Sequence, residues 1–207
     1  MKMIAIVSLA ACLAAVSCVA KTNPVMVTCG SLIKLEHTKT GHYLHSHEVA
    51  YGAGRGSGQQ SVTGFPEKDS GSSLWIVRGS RERCDQGTLI ENGAVIKLQH
   101  AATRKWLHSH QFYSPLSNQQ EVSCFGSDQD SDTGDEWEVQ WDDKANHWER
   151  DASVRLLHKD TNAYLANHNV QYQRPIPGHT EVHALKSKGA TTTWKAGEGV
   201  YFAGEQN

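Results

Sequence analysis

Ile33-Lys34-Leu35-Glu36-His37 returns as Ile96-Lys97-Leu98-Gln99-His100 and again as Val154-Arg155-Leu156-Leu157-His158. The closing histidines are 63 and then 58 residues apart. Further landmarks follow in the same order. Tyr43-Leu44-His45-Ser46-His47 is matched by Trp106-Leu107-His108-Ser109-His110 and by Tyr164-Leu165-Ala166-Asn167-His168. Gln59-Gln60-Ser61-Val62 is matched by Gln119-Gln120-Glu121-Val122 and by His179-Thr180-Glu181-Val182. Trp75, Trp137 and Trp194 close the copies. Recurrence at a near-constant period marks a repeat architecture whose units complete one another's core.

Each copy reads as strands. Ile33, Leu35 and His37 alternate with Lys34 and Glu36, the period of a strand with one face turned inward. Thr38-Lys39-Thr40-Gly41 and Asp160-Thr161-Asn162 supply turns before the next strand. No long window combines helical period with caps. About four short strands per unit are expected. Three units are too few for a propeller, whereas closure on a common axis removes the exposed edges of a lone unit. The expected fold is all-β, a β-trefoil with pseudo-threefold symmetry, its units spanning 24–79, 87–142 and 143–197.

Lys2 followed by the apolar run Ile4–Val19 and the small-x-small ending Cys18-Val19-Ala20 reads as a signal peptide over 1–20. No second stretch is apolar enough to span a membrane. Gly204-Glu205-Gln206-Asn207 is not a retention signal, which leaves the endoplasmic reticulum lumen and secretion both open. A net charge of −2 gives no basic field for nucleic acid. Once the signal peptide is removed, Cys29, Cys84 and Cys124 remain. Cys124 matches Gly64 and Ala184 in the other copies, a tight core position for a small unpaired side chain. Cys29 and Cys84 have no counterparts and are expected to form a disulfide across the first unit.

Several segments look chemical without completing a site. His45-Ser46-His47 and His108-Ser109-His110 each place two imidazoles on one strand face, but the third copy keeps only His168, and zinc needs three or four ligands. These histidines are assigned to the fold, and no metal or cofactor is expected. Asp128-Gln129-Asp130-Ser131-Asp132-Thr133-Gly134 begins like a calcium loop but has Thr133 and Val139 where an EF-hand needs Gly and Glu. It reads as a solvated acidic hairpin. Gly52-Ala53-Gly54-Arg55-Gly56-Ser57-Gly58 lacks the Gly-Lys-Ser/Thr and helix of a phosphate loop. No nucleophile elbow or catalytic pair can be assigned, so the chain is not expected to be an enzyme. The matched loops carry Tyr51 with Arg55, Tyr113, and Tyr172 with Arg174, the residue types enriched at binding hot spots. These five are the candidate residues for contact with a partner or ligand.

The Ile-Lys-Leu-x-His, Leu-His-Ser-His and Gln-Gln-x-Val landmarks with their closing tryptophans resemble the MIR repeat. That repeat is shared by protein O-mannosyltransferases and by inositol trisphosphate and ryanodine receptors. Val27-Thr28-Cys29-Gly30-Ser31, Leu44-His45-Ser46-His47, Gln59-Gln60-Ser61-Val62-Thr63-Gly64 and Trp194-Lys195-Ala196 resemble the stromal cell-derived factor 2 family. The resemblance implies a non-catalytic trefoil of the endoplasmic reticulum. It also implies partnership with a lumenal Hsp70 and its J-domain co-chaperone, acting on unfolded client proteins. The alternative is a secreted carbohydrate- or ligand-binding trefoil, although the Gln-x-Trp signature of ricin-type sugar binders is absent.

Overall fold

The structure is a computed structural model describing residues 23–52, 56–80 and 84–204. The signal peptide, Arg55 and the last three residues lie outside the described residues. Twelve strands follow one another with three short 3-10 turns and no α-helix among the described residues. The first unit contributes β1 (Leu32–His37), β2 (Tyr43–Ala50), β3 (Gln60–Phe65) and β4 (Trp75–Gly79). The second contributes β5 (Val95–His100), β6 (Trp106–Tyr113), β7 (Gln120–Phe125) and β8 (Trp137–Gln140). The third contributes β9 (Ser153–His158), β10 (Ala163–Gln171), β11 (Thr180–Leu185) and β12 (Trp194–Val200).

The pairings separate these strands into two layers. β1, β4, β5, β8, β9 and β12 pair successively and close into a ring, so no edge of that sheet is left open. The hairpins β2–β3, β6–β7 and β10–β11 stand over one end of the ring. They join one another through β3–β7, β7–β11 and β11–β3. A closed barrel capped by a triangle of hairpins, with one unit repeated three times, is a β-trefoil.

The repeated residues hold the layers together. The alternating side chains Ile33, Leu35, Ile96, Leu98, Val154 and Leu156 are buried in a single core with Leu44, Leu107 and Leu165 from the hairpins. Each closing tryptophan is fully buried and donates its indole N–H to one of those hairpin leucines. Trp75 bonds the Leu44 carbonyl at 2.8 Å, Trp137 that of Leu107 at 2.9 Å, and Trp194 that of Leu165 at 2.9 Å. The first histidine of each copy packs at a tilt against the tryptophan of the copy before it: His37 against Trp194, His100 against Trp75 and His158 against Trp137, with ring centres 4.9–5.0 Å apart. Its Nδ1 lies beside a turn threonine, 2.9 Å from Thr40, 2.8 Å from Thr103 and 2.8 Å from Thr161.

Cys29 and Cys84 are disulfide-bonded, with Cα atoms 5.9 Å apart. The bridge ties the entry of the first unit to the link that leaves it. Cys124 is buried, and burial pushes its thiol up to about 12, so it stays protonated and unreactive. Leu44, Leu107 and Leu165 pair in register with Gly64, Cys124 and Ala184, which confirms the three small residues as one position. Gly64 has no room for a side chain. A Cβ there would meet Thr180 Oγ1 and Asn167 Nδ2. Gly64→Ala is therefore expected to cost roughly 1–3 kcal/mol by overpacking, read as a lower urea midpoint, whereas Ala184→Gly should cost less than about 1 kcal/mol.

Candidate functional site

The three hairpins form one face of the molecule, and hydrogen-bonded latches fix their relative positions. Gln60 on β3 donates from Nε2 to Ser46 Oγ at 2.8 Å and to Thr103 Oγ1 of the next unit at 2.9 Å. Gln120 repeats the latch with Ser109 and Thr161, both at 2.7 Å. The third unit exchanges the roles. Asn167 stands at the serine position and Thr180 at the glutamine position. Asn167 donates to Thr180 Oγ1 at 2.9 Å and accepts from Thr40 Oγ1 at 2.8 Å. Donor and acceptor have swapped sides, and the link between units survives.

Two buried glutamates, which the sequence reading did not single out, hold the loops between the hairpin strands. Glu121 accepts from the Ser57 N–H at 3.0 Å and from His110 Nε2 at 3.1 Å. Glu181 accepts from the N–H groups of Leu116 and Ser117, at 2.8 and 3.2 Å, and from His168 Nε2 at 2.9 Å. Both side chains are wholly buried. Burial alone would raise the Glu181 carboxyl, but the hydrogen bonds from His168, Ser117 and Leu116 outweigh it and bring the group down to about 2. Each glutamate thus anchors the loop of the unit before it. The first unit has Ser61 at this position, and the loop it would anchor has Pro177, which has no N–H, where the others have Ser57 and Ser117. A charged residue at one strand position in two copies of three was the available sequence signal.

The structure separates the five candidate binding residues. Tyr51, Ser114 and Tyr172 are the true equivalents, each N–H donating across its loop to Gln59, Gln119 or His179 at 2.7–2.9 Å. Tyr51 and Tyr172 are buried and close the end of the cap together with Ile176. The Tyr51 hydroxyl lies 2.9 Å from the carbonyl oxygens of both Val62 and Val122, and burial raises both phenols above their ordinary range. These two tyrosines are therefore not presented on loop tips. Tyr113 precedes the equivalent position by one residue, at the end of β6 where the pairing with β7 shifts register and the side chains leave the core, and it is 76% exposed beside Phe112 at 51%. Arg174 is exposed as well. Pro115 and Leu116 line a groove with Gln173, Arg174, Pro175 and Ile176, so the loops of the second and third units meet along this face.

The Leu-His-Ser-His imidazoles are all engaged in the second and third units. His108 Nδ1 lies 2.9 Å from the buried Asp135, and His110 and His168 bind Glu121 and Glu181. In the first unit His45 and His47 instead meet His179 from the third. The acidic segment lies at the surface, with Asp128 paired to Arg104 at 2.8 Å and Asp132 capping a 3-10 turn. No helix among the described residues is long and apolar enough to cross a membrane.

A closed barrel of three units, two carrying the Leu-His-Ser-His strand, the third its Leu-Ala-Asn-His counterpart, and all three the closing tryptophan, defines a MIR-repeat β-trefoil, and residues 51–192 match the MIR domain family. The chain belongs to the stromal cell-derived factor 2-like family. It is 50% identical over 179 residues to a stromal cell-derived factor 2-like protein of Dictyostelium discoideum, covering 85% of this chain and 84% of that one. The crystal structure of the SDF2-like protein from Arabidopsis thaliana superposes with a TM-score of 0.85 at 49% identity, over 88% of this chain and all of that one. A Saccharomyces cerevisiae protein O-mannosyltransferase complex, solved with its sugar donor, contains a similar unit. The TM-score is 0.78 at 29% identity, covering 90% of this chain and 27% of the transferase chain.

Proposed function

We propose that the chain is a non-catalytic binding protein of the secretory pathway that works with a lumenal Hsp70 and its J-domain co-chaperone on unfolded client proteins. The observation that carries this reading is the outward edge of the cap. Phe112 and Tyr113 stand exposed together on β6, Leu116 follows on the adjoining loop, and Arg174 projects from the neighbouring unit. Aromatic and arginine side chains on a rigid scaffold are the residue types that anchor protein interfaces. Tyr51 and Tyr172 line the groove that runs between Leu116 and Arg174. Family membership supports the same reading, and the buried glutamates and their histidines are fully occupied in holding loops.

A pull-down of the tagged protein from a lumenal extract, with mass spectrometry of the retained chains, tests the proposal. Recovery of an Hsp70 together with a J-domain protein is the expected result, accompanied by slower aggregation of a denatured client. A clean bait, with the protein found chiefly in the medium and positive on a glycan array, would replace this reading by the secreted carbohydrate-binding alternative.

A further inference from the structure

We propose that His45, His47 and His179 form a binding site for one divalent transition-metal ion of the zinc type. Two of the imidazoles come from β2 and the third from the residue that precedes β11, so the site exists only once the first and third units have closed on each other. Their ring centres form a nearly equilateral triangle, with sides of 5.2 Å (His45–His47), 5.1 Å (His45–His179) and 5.3 Å (His47–His179). Imidazoles sharing one tetrahedral ion at nitrogen–metal distances of ~2.1 Å place their ring centres ~5 Å apart. One nitrogen from each ring lies within 4.8 Å of the other two.

The supporting contacts are those a metal site uses. His45 Nδ1 pairs with the Ser73 hydroxyl at 3.0 Å and His179 Nδ1 with the Thr63 hydroxyl at 2.8 Å, which leaves Nε2 of both rings for an ion. A hydrogen bond from the far nitrogen is the usual means of fixing a ligating imidazole, and a hydroxyl oxygen can accept it. His47 Nδ1 is buried and has no hydrogen-bond partner, an otherwise unexplained polar atom. Phe65 stacks on His179 at 4.4 Å and lies 4.7 Å from His45, holding both rings in place. His47 and His179 are only partly buried, so an ion can enter and a fourth position stays open to solvent.

The other two junctions serve as internal comparisons. Between the first and second units, Gln59 replaces His179, and His108 and His110 each bond a buried carboxylate. Between the second and third, Gln119 replaces His179 and Ala166 replaces His45. Two further groups, His108 with Asp132 and Asp135 and His168 with Glu181 and His183, also gather potential ligands. In both, an imidazole–carboxylate hydrogen bond is already closed. Among the described residues, only at the junction of the third and first units do three imidazoles converge without a carboxylate, because Ser61 takes the place of Glu121 and Glu181.

Zinc chloride titrated calorimetrically into chelator-treated protein, without reductant so that Cys29 and Cys84 stay paired, tests the site. One ion per chain is expected, and cobalt chloride should give the visible absorption of a four-coordinate ion. His179→Gln copies the residue of the other two units, so the fold is kept, and it should weaken zinc binding by more than ~100-fold, beyond the loss from removing a supporting partner alone. His183→Thr, which copies Thr63, should bind as the unaltered protein does. Absence of binding to the unaltered protein, undiminished binding by His179→Gln, or loss of binding in His183→Thr alone would each overturn the assignment.

Discussion

Replacing Trp137 with alanine is expected to destabilise the protein by about 4 kcal/mol, the range measured for truncating a buried tryptophan. The indole is fully buried between barrel and cap, and its N–H satisfies the Leu107 carbonyl at 2.9 Å. Truncation opens a cavity and leaves that carbonyl without its indole donor, and the figure of about 4 kcal/mol includes both losses. His158 also loses the ring against which it packs. With a urea dependence of about 2 kcal/mol per molar, the unfolding midpoint should fall by roughly 2 M. Trp75→Ala and Trp194→Ala should behave alike, since both indoles repeat the bond. Trp137→Phe, which keeps most of the bulk, should lose about half as much. A loss below about 1.5 kcal/mol in Trp137→Ala would show that barrel and cap are not joined through the indoles.

Acid should weaken the fold before most carboxylates titrate. His37, His100, His158 and His183 are buried, and burial lowers all four, His37 and His183 to about 4. An unfolded histidine titrates near ~6.5, so the unfolded chain takes up protons first as pH falls. The stability held by the neutral rings is present above ~6.5 and is lost progressively down to about 4, at up to about 1.4 kcal/mol per pH unit for each group. His37 and His183 together should remove on the order of 4 kcal/mol between pH 7 and pH 4.5. Glu181, held down to about 2, acts in the same direction in a lower window, its contribution lost only as pH falls below the unfolded carboxylate value. Urea midpoints at pH 7.5, 5.5 and 4.5 should decline steadily, and the decline should shrink in His183→Thr. Equal midpoints at pH 7.5 and 4.5 would contradict the burial of neutral imidazoles.

The parts of this fold that repeat could be read from sequence, because repetition multiplies a weak local signal. Three tryptophans, three leucines before Ser or Asn, and one small position at Gly64, Cys124 and Ala184 specify strand, register and closure together. What breaks the symmetry was harder to read. Ser114 follows Leu107 by the same seven residues that separate Tyr51 from Leu44 and Tyr172 from Leu165, so the second unit has no aromatic at the shared position, and its neighbour Tyr113, one residue away, is exposed where Ser114 is buried. The third imidazole beside His45 and His47 lies more than a hundred residues along the chain, at a position where the other units carry glutamine. Spacing along a strand cannot reveal a ligand that arrives from another unit. Glu121 and Glu181 were visible as residues, but their work depends on loop N–H groups whose positions only the closed cap fixes.

The measurement that bears most directly on the proposed role is the affinity of the immobilised protein for a purified lumenal Hsp70 and J-domain pair, compared with that of a Phe112→Ser, Tyr113→Ser double variant. The variant should keep its urea midpoint, since both side chains are exposed. Binding should fall by more than ~30-fold, as expected when a hot spot worth about 2 kcal/mol is removed. Equal binding by the two proteins, or no binding by either, would contradict a chaperone partner docking on the outward edge of the cap.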